Sequence, residues 1–290
     1  MRISKYIEKK RFSLTGKTVA ISGATGGIGR ELCRHFAALG ASLVLLDRNM
    51  QRSEALASQL KAEFRNIAIS HIQVDMEEIA TVKSAAEKLL DMPIDHLVLN
   101  AGAYSIPRHK CSTGYDNVFQ INFVSPYYLA RTLLPHLRER DGKVVAVGSI
   151  AHRYSKTDAS DIDFSKRKKA SLVYGNAKRY LMFSIFSLAE SERDVALSHP
   201  GITFTNITAH YPKMIFAIIK HPMKLIFMKP KRASLSILEG LFKDCGENEW
   251  IGPRFFDVWG APKQKKLRGY TPEEIERIRK VADKIYLELR

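Results

Sequence analysis

Thr18-Val19-Ala20-Ile21-Ser22 is a short apolar run that passes directly into Gly23-Ala24-Thr25-Gly26-Gly27-Ile28-Gly29. After it, Ile28, Leu32, Phe36 and Leu39 recur at helical spacing as far as Gly40. Strand, glycine turn and helix in that order leave few folds open. The first N–H groups of such a helix have no intrahelical acceptor and its positive end faces the turn, so the junction attracts a phosphate. The glycines let a pyrophosphate approach the backbone. Their spacing, Gly23-x3-Gly27-x-Gly29, differs from G-x-G-x-x-G, and the turn alone is weak evidence.

Ser42 to Leu46 form the next expected strand and end at Asp47-Arg48-Asn49. A helix from about Met50 to Phe64 leads to a third strand, Ala68 to Val74, ending at Asp75-Met76. A helix around Ile79 to Leu90 precedes a fourth strand, His96 to Leu99, which runs into Asn100-Ala101-Gly102. Strands alternating with helices imply right-handed crossovers and an α/β fold, a doubly wound parallel sheet of about seven strands with helices on both faces. Ligands of such sheets collect at the carboxyl ends of the strands, where Gly23, Asp47, Asp75 and Asn100 all fall. A carboxylate ending the second strand can accept the ribose hydroxyls of an adenosine and repel a 2′-phosphate, so Asp47 favours NAD. Arg48 beside it could pair with the 2′-phosphate of NADP or stack on adenine. Asp47 could equally cap the helix that follows.

Residues 115–137 read as one long helix carrying Asn122 in an apolar setting, where a side-chain amide needs a partner. Strand Lys143 to Val147 ends at Gly148-Ser149, and residues 171–190 read as a helix containing Tyr174-Gly175-Asn176-Ala177-Lys178. Four positions apart, Tyr174 and Lys178 share a helix face. A phenol titrates near pH ~10 and needs about 3 units, roughly 4 kcal/mol, to exchange protons near neutrality. One ammonium about 4 Å away supplies that much at an effective dielectric of ~20. Taken alone, such a pair is also common on solvated helix faces. Ser149 stands in Val147-Gly148-Ser149-Ile150-Ala151, not in the G-x-S-x-G of a hydrolase elbow. His152, His199 and His210 show no ligand-like clustering, and no metal site is expected.

Val195 to Ser198 form a sixth expected strand, followed by His199-Pro200-Gly201 and Thr203-Phe204-Thr205. A last short strand is expected around Trp250-Ile251 or Phe255 to Val258. Between Val195 and Leu238 there is no Asp or Glu, while Lys213, Lys220, Lys224, Lys229, Lys231 and Arg232 are interleaved with apolar runs. An insert over 209–240 could cover a substrate, its stretch 213–232 could make peripheral contact with a membrane, or it could pack as ordinary helices with basic outer faces. Thr271-Pro272-Glu273-Glu274 is a capping box with proline at the first helical position. It opens a helix over 271–290 whose apolar stripe is Ile275, Ile278, Ala282, Ile285 and Leu289.

Lys plus Arg number 46 against 30 Asp plus Glu, a net charge of +16. The basic clusters at Lys9-Lys10-Arg11, Lys166 to Lys169, Lys229 to Arg232 and Lys263 to Arg268 lie in no helix-turn-helix, zinc-finger or RNA-binding signature. A solvated basic surface is expected, and no nucleic-acid partner. Cys33, Cys111 and Cys245 are far apart with no C-x-x-C, which argues against a disulfide framework and fits a reducing, cytoplasmic setting. Met1 to Lys17 has no apolar core for a signal or anchor, and no later stretch is long and apolar enough to span a bilayer.

In order and approximate spacing, Ser22-Gly23-x3-Gly27-Ile28-Gly29, Asp75, Asn100-Ala101-Gly102, Asn122, Ser149, Tyr174-x3-Lys178 and Pro200-Gly201 resemble the short-chain dehydrogenase/reductases, over roughly residues 15–260. Ser149-Ile150-Ala151-His152, Asp161-Ile162-Asp163-Phe164 and His199-Pro200-Gly201 look most like the retinol-dehydrogenase, WW-domain oxidoreductase and protochlorophyllide-reductase-like branch, which hints at a bulky apolar substrate. The resemblance implies one Rossmann-like domain over 1–290 and an NAD(P)-dependent oxidoreductase interconverting an alcohol and a ketone or aldehyde on an apolar or amphipathic small molecule. Tyr174 would be the general acid/base, and Lys178 would hold the nicotinamide ribose and lower the tyrosine pKa. Ser149 would bind the carbonyl or alcohol oxygen, and Asn122 would fix a water relaying protons toward Lys178. The cofactor would be held by Ser22, Gly23, Thr25, Gly26, Gly27, Ile28, Gly29, Asp47, Arg48, Asp75, Met76, Asn100, Ala101, Gly102, Tyr174 and Lys178, with Pro200, Gly201 and Thr205 at its nicotinamide end. Ser22 replaces the usual threonine and keeps the hydroxyl. Pairing through the helices over 115–137 and 171–190 into a homodimer or homotetramer is also implied. The alternative is a non-catalytic dinucleotide sensor or scaffold, against which the retained Tyr174 counts, since a pure binder needs no proton donor.

Overall fold

Alternate residues of the first two strands feed opposite cores. In β1 (Thr18–Ser22) Val19 and Ile21 join one apolar cluster and Ala20 the other. In β2 (Ser42–Asp47) Leu43 and Leu45 part from Val44 and Leu46 in the same way. Strands buried on both faces belong in a parallel sheet covered by helices. The structure, a computed structural model that describes residues 3–203 and 228–290, contains such a sheet. The other strands are β3 (Ile69–Gln73), β4 (His96–Leu99), β5 (Lys143–Val147), β6 (Val195–Ser198), β7 (Glu249–Phe255) and β8 (Trp259–Lys266). Their order across the sheet is β3-β2-β1-β4-β5-β6-β7-β8, parallel throughout except for the antiparallel pair β7 and β8.

The sheet has eight strands, one more than expected. The alternatives at the chain's end resolve into a strand covering Trp250-Ile251, while Phe256 to Val258 is the turn of a hairpin rather than strand. The extra strand, β8, reads WGAPKQKK; its Gly260, Pro262 and four polar residues give no strand signature, and only its place at the sheet edge makes such a sequence tolerable.

One face is covered by α1 (Ile3–Lys10), α2 (Gly27–Ala38), α3 (Met50–Glu63) and α8 (Pro230–Gly240). The other is covered by α4 (Ile79–Leu90), α6 (Ser125–Arg138), α7 (Ala170–Ser184) and α9 (Pro272–Leu289). The long helix expected over 115–137 is interrupted: a short α5 (Asn117–Phe119) passes into a π-helical turn, Gln120–Val124, before α6 begins. Thr271 caps α9 as its sequence requires, its hydroxyl accepting from the Glu274 N–H at 3.2 Å.

Ile275, Ile278, Ala282 and Ile285 of α9 are buried in the core shared with α6 and α7, and each isoleucine contributes about 1.5–3 kcal/mol through burial. Polar contacts fix the helix's register. Arg131 pairs with Asp283 and stacks 4.4 Å over the Tyr286 ring, and Arg179 reaches Glu274 at 2.7 Å. Of the expected insert over 209–240, residues 209–227 lie outside the described residues, together with Lys213, Lys220, Lys224 and most of the 213–232 stretch. The remainder forms a bridge from Met228 to Thr203 and then α8. Among the described residues no helix is long and apolar enough to cross a membrane.

Candidate active site

The glycine turn is shaped by contacts only glycine permits. Gly23 has φ 67°, and a β-carbon at Gly29 would sit 2.2 Å from the Gly23 carbonyl oxygen. Ser22 and Asn100 tie this turn to the end of β4. The Ser22 hydroxyl accepts from the Asn100 and Ala101 N–H groups, each at 3.1 Å, and the Asn100 amide donates to the Ser22 and Gly23 carbonyls at 3.1 and 3.0 Å. The result is a cleft of about 360 Å³ at the carboxyl edge of the sheet. Its wall brings together Gly23, Thr25, Gly26, Gly27, Ile28, Gly29, Asp47, Arg48, Asp75, Met76, Asn100, Ala101 and Gly102. Ser22 is not part of that wall and acts from behind it, 1% exposed. The first-turn N–H groups of α2 and the bare backbone of the turn fit a pyrophosphate, the group for which this sequence pattern is built.

Asp47 does not face the cleft as a free carboxylate. It is 3% exposed; one oxygen accepts from the Thr25 N–H at 3.1 Å and hydroxyl at 2.9 Å, the other from the Ser53 hydroxyl at 3.2 Å. Burial pushes its pKa up while these hydrogen bonds hold it down, with a net rise. Both oxygens brace the glycine turn against β2 and α3, which fills three of the carboxylate's acceptor sites from within the chain. The exposed group at this end is Arg48, whose side chain is 71% exposed and 3.5 Å from Asp75, with Arg52 beside it in the cleft wall.

The π-helical turn puts Asn122 where a regular helix would have left it one step out of phase. Its amide donates to the Val118 and Ala103 carbonyls, both at 2.8 Å, and its oxygen accepts from the Ala103 N–H at 3.3 Å. The partner its burial demanded is therefore the loop after β4. A β-carbon at Gly102 would meet the Asn122 oxygen at 2.8 Å and Lys178 Nζ at 3.6 Å, so these two side chains converge on one stretch of backbone at the end of the cleft. Tyr174 is half-buried, hydrogen-bonded to Ser149 and set edge-on to Tyr104 with ring centres 5.3 Å apart. Ser149 also caps the short helical turn Ile150–Tyr154, accepting from the Ala151 N–H at 3.2 Å. Pro200 and Gly201 end β6 at the same edge of the sheet; Thr205 lies outside the described residues.

The charge balance differs from the simple expectation of a lysine lowering a tyrosine. Burial pushes the Tyr174 phenol up to about 12; the Ser149 hydrogen bond opposes this and Tyr104 adds to it. Burial also pushes the Lys178 ammonium down to about 8. Lys178 Nζ lies 5.8 Å from the centre of the Tyr174 ring and donates to the Val147 carbonyl at 2.9 Å, so its charge is directed at the strand end rather than at the phenol. Desolvation wins on both groups and favours their neutral forms. A stability prediction follows from the lysine. Its folded pKa near 8 lies below the ordinary 10.5, so folding is penalised below pH 8 and the penalty fades as pH rises toward 10.5. Lys178→Met, which keeps the buried stem, should therefore raise stability at pH 7 by up to about 3 kcal/mol. Wild type should close the gap at alkaline pH in parallel denaturant titrations; a variant less stable than wild type at pH 7 would contradict the assignment.

A family model described as short chain dehydrogenase matches residues 17–163, just over half of the 290-residue chain, including the whole glycine turn and Ser149. The chain belongs to the short-chain dehydrogenase family. It is 29% identical over 202 residues to retinol dehydrogenase 12 of Mus musculus, an alignment that takes in 67% of this chain and 64% of that protein. It is 33% identical over 202 residues to the human WW domain-containing oxidoreductase, across 65% of this chain and 47% of that one. The chain thus spans less than two thirds of the length of either relative. Among solved structures, the short-chain dehydrogenase from Sphingobium yanoikuyae in complex with NADPH is 25% identical, with a TM-score of 0.61 over 77% of this chain and 83% of that one.

Within this short-chain dehydrogenase, four residues of the site have no motif to announce them. Tyr104 and Ile106 follow Asn100-Ala101-Gly102 in the loop against Tyr174, and an aromatic placed just beyond that motif is the signal that could have drawn attention to the first. Arg52 lines the cleft from the first turn of α3, which Asn49 caps by accepting from the Arg52 N–H at 2.9 Å. Arg179, adjacent to Lys178, looks like a surface cation in sequence and is 2% exposed.

Proposed function

We propose that the chain is an NAD(P)-dependent oxidoreductase interconverting an alcohol and a ketone or aldehyde, with Tyr174 as general acid/base and an apolar or amphipathic small molecule as substrate. The observation that carries this reading is the convergence of Tyr174, its partner Ser149, Lys178 and Asn122 behind Gly102, a wall residue of the cleft that the glycine turn opens. The nicotinamide ring supplies or accepts the hydride. The chain's own residues do the rest. A phenol that stays protonated at neutral pH donates its proton to the developing alkoxide, Ser149 shares the charge on that oxygen, and Lys178, near its midpoint at about 8, passes protons onward. Ile106, Leu172 and Tyr174 pack on the buried trio Val118, Phe164 and Val173, which supports an apolar substrate beside the phenol. The name of the retinol dehydrogenase relative supports the same class. The test is reduced-cofactor consumption across aldehydes, ketones and quinones with NADH and NADPH; cofactor binding without turnover of any of them would favour the non-catalytic sensor instead.

Asp47 carried the expectation of NAD. With three of its acceptor sites taken by Thr25 and Ser53 and two guanidinium groups at the cleft mouth, the balance moves to NADP, a reading that the NADPH bound in the Sphingobium structure supports. Arg48→Ala should weaken NADPH roughly tenfold relative to NADH, the value of one charge-assisted hydrogen bond to phosphate. Asp47→Ala should weaken both cofactors alike by loosening the turn. Calorimetric titrations decide; an Asp47→Ala loss confined to NADH would restore the carboxylate's selective role.

A homodimer or homotetramer pairing through α6 and α7 has to contend with α9, which already lies on them. The three cysteines are free thiols, which supports a reducing, cytoplasmic setting.

A further inference from the structure

The turn between β7 and β8 spends its conformational freedom on exposing aromatic surface. Phe255, Phe256 and Trp259 are 46%, 83% and 51% exposed, three of the six large apolar side chains that reach solvent among the described residues. Phe256 and Asp257 occupy consecutive left-handed positions, φ 51° and 59°, where hairpins ordinarily place Asn-Gly or Asp-Gly. A phenylalanine in that conformation is strained. The strain is held by a rigid base. Asp257 is 6% exposed, binds Lys265 at 2.5 Å and Arg153 at 2.9 Å through its carboxylate, and accepts from His199 Nε2 at 2.9 Å through its carbonyl. The Val258 carbonyl sits so close to Gly201 that a β-carbon there would be 2.6 Å away, which locks the hairpin onto the end of β6.

Charge along this hairpin is one-sided. From Arg254 to Arg268 the chain carries Arg254, Lys263, Lys265, Lys266 and Arg268 against the single acid Asp257, which is already paired. Arg254 and Lys263 are exposed; the Arg254 guanidinium lies 5.7 Å from the centre of the Phe255 ring and Lys263 stands opposite Gly252, whereas Lys266, opposite Glu249, is at the far end of the hairpin. Lysines on an edge strand guard it against pairing with other sheets, but that role gives no reason for aromatic rings at the tip. Exposed Phe and Trp with cations beside them match the boundary of an anionic bilayer, where rings sit at headgroup level and cations meet the negative surface. Because β7 runs parallel to β6, its carboxyl end lies on the edge of the sheet where the cleft opens.

We propose that the β7–β8 hairpin tip, through Phe255, Phe256 and Trp259 with Arg254 and Lys263, docks the protein peripherally on anionic lipid membrane, with the cleft's edge toward the bilayer. The docking stands on the hairpin alone. Its use, taking an apolar substrate directly from the lipid, rests on the function proposed above.

Co-sedimentation of the whole chain with phosphatidylcholine vesicles, with and without phosphatidylserine, tests it. Wild type is expected to bind the anionic vesicles and to release as salt rises. Phe256→Ala/Trp259→Ala should weaken binding roughly tenfold or more, and Arg254→Glu/Lys263→Glu by at least about fivefold, with circular dichroism and turnover of a water-soluble substrate unchanged in both. If turnover is absent in every protein but the vesicle pattern holds, the catalytic reading fails and the docking survives. Wild type that ignores anionic vesicles, or variants that bind as wild type does, overturns the proposal. So does a concentration-dependent dimer abolished by Phe256→Ala/Trp259→Ala without vesicle binding, which would assign the surface to a second copy.

Discussion

Tyr174→Phe should lower kcat by about 10²–10⁴-fold while leaving NADPH affinity within about twofold of wild type. The substitution removes one oxygen and nothing else. The ring's edge-on contact with Tyr104, centres 5.3 Å apart, needs no hydroxyl, and neither does the apolar packing on Phe164 and Val173. The cofactor cleft is walled by the glycine turn and the ends of β2, β3 and β4, without Tyr174. What the variant lacks is the group whose proton must move as the carbonyl oxygen takes charge, together with Ser149's partner. Ser149→Ala is a less clean probe, because Ser149 also accepts from the Ala151 N–H and holds the turn on which it sits. Steady-state kinetics with a cofactor titration separate the two effects. Turnover preserved in Tyr174→Phe would remove the phenol from the mechanism; a parallel collapse in cofactor affinity would make it a binding residue.

That prediction draws on features readable in the sequence, since the Tyr-x-x-x-Lys spacing, the glycine turn and the strand ends are local patterns that helix and strand geometry convert directly into position. Other features needed three dimensions. Asp47 sits at the end of β2 as its sequence implies, yet its carboxylate is claimed by Thr25, 22 positions away, and by Ser53 across the turn into α3. No pattern in the chain declares that. The same holds for the phenol: counting one lysine charge against it predicted a lowered pKa, whereas desolvation of both groups, invisible without the packing around them, reverses the direction for Tyr174. Asn122 was conspicuous as an amide in an apolar helix, and the π-helical turn that satisfies it was not, because one extra residue per turn leaves periodicity almost unchanged over so short a stretch. β8 escaped for the opposite reason, having hardly any apolar periodicity to find.

Arg179 and Glu274 are each unremarkable in sequence, a cation after Lys178 and the last residue of a capping box. Together they form the ion pair on which the C-terminal helix and the Tyr174 helix both depend. Glu274→Ala should destabilise the protein by about 3–5 kcal/mol, because it strands a guanidinium that is 2% exposed. The geometry leaves that group no alternative. Arg179 Nε donates to one Glu274 oxygen at 2.7 Å and Nη2 to the other at 2.5 Å, while Nη1 and Nη2 hold the His152 and Gly269 carbonyls at 3.1 and 2.6 Å. Thr157 adds two hydrogen bonds to the same carboxylate. Burial raises the Glu274 pKa, but Arg179 and Thr157 together outweigh it and the net value lies below the ordinary 4.5. The pair's contribution should therefore be complete above about pH 4.5 and be lost as pH falls through the lower folded value, so wild type and variant should converge in acid. Replacing both partners with apolar side chains, Arg179→Met with Glu274→Leu, should cost far less than Glu274→Ala, since no charge is left buried. The two variants also separate stability from positioning. The His152 carbonyl that Arg179 holds lies three residues after Ser149, whose own carbonyl accepts from His152 Nδ1 at 2.7 Å, so the double variant, though stable, should still show a reduced kcat with little change in KM. Denaturant titrations at pH 7 and at a series of pH values descending below 4, beside steady-state kinetics, are the measurement. A Glu274→Ala loss below about 1 kcal/mol would mean that the guanidinium finds solvent and that α9 is held by its isoleucines alone.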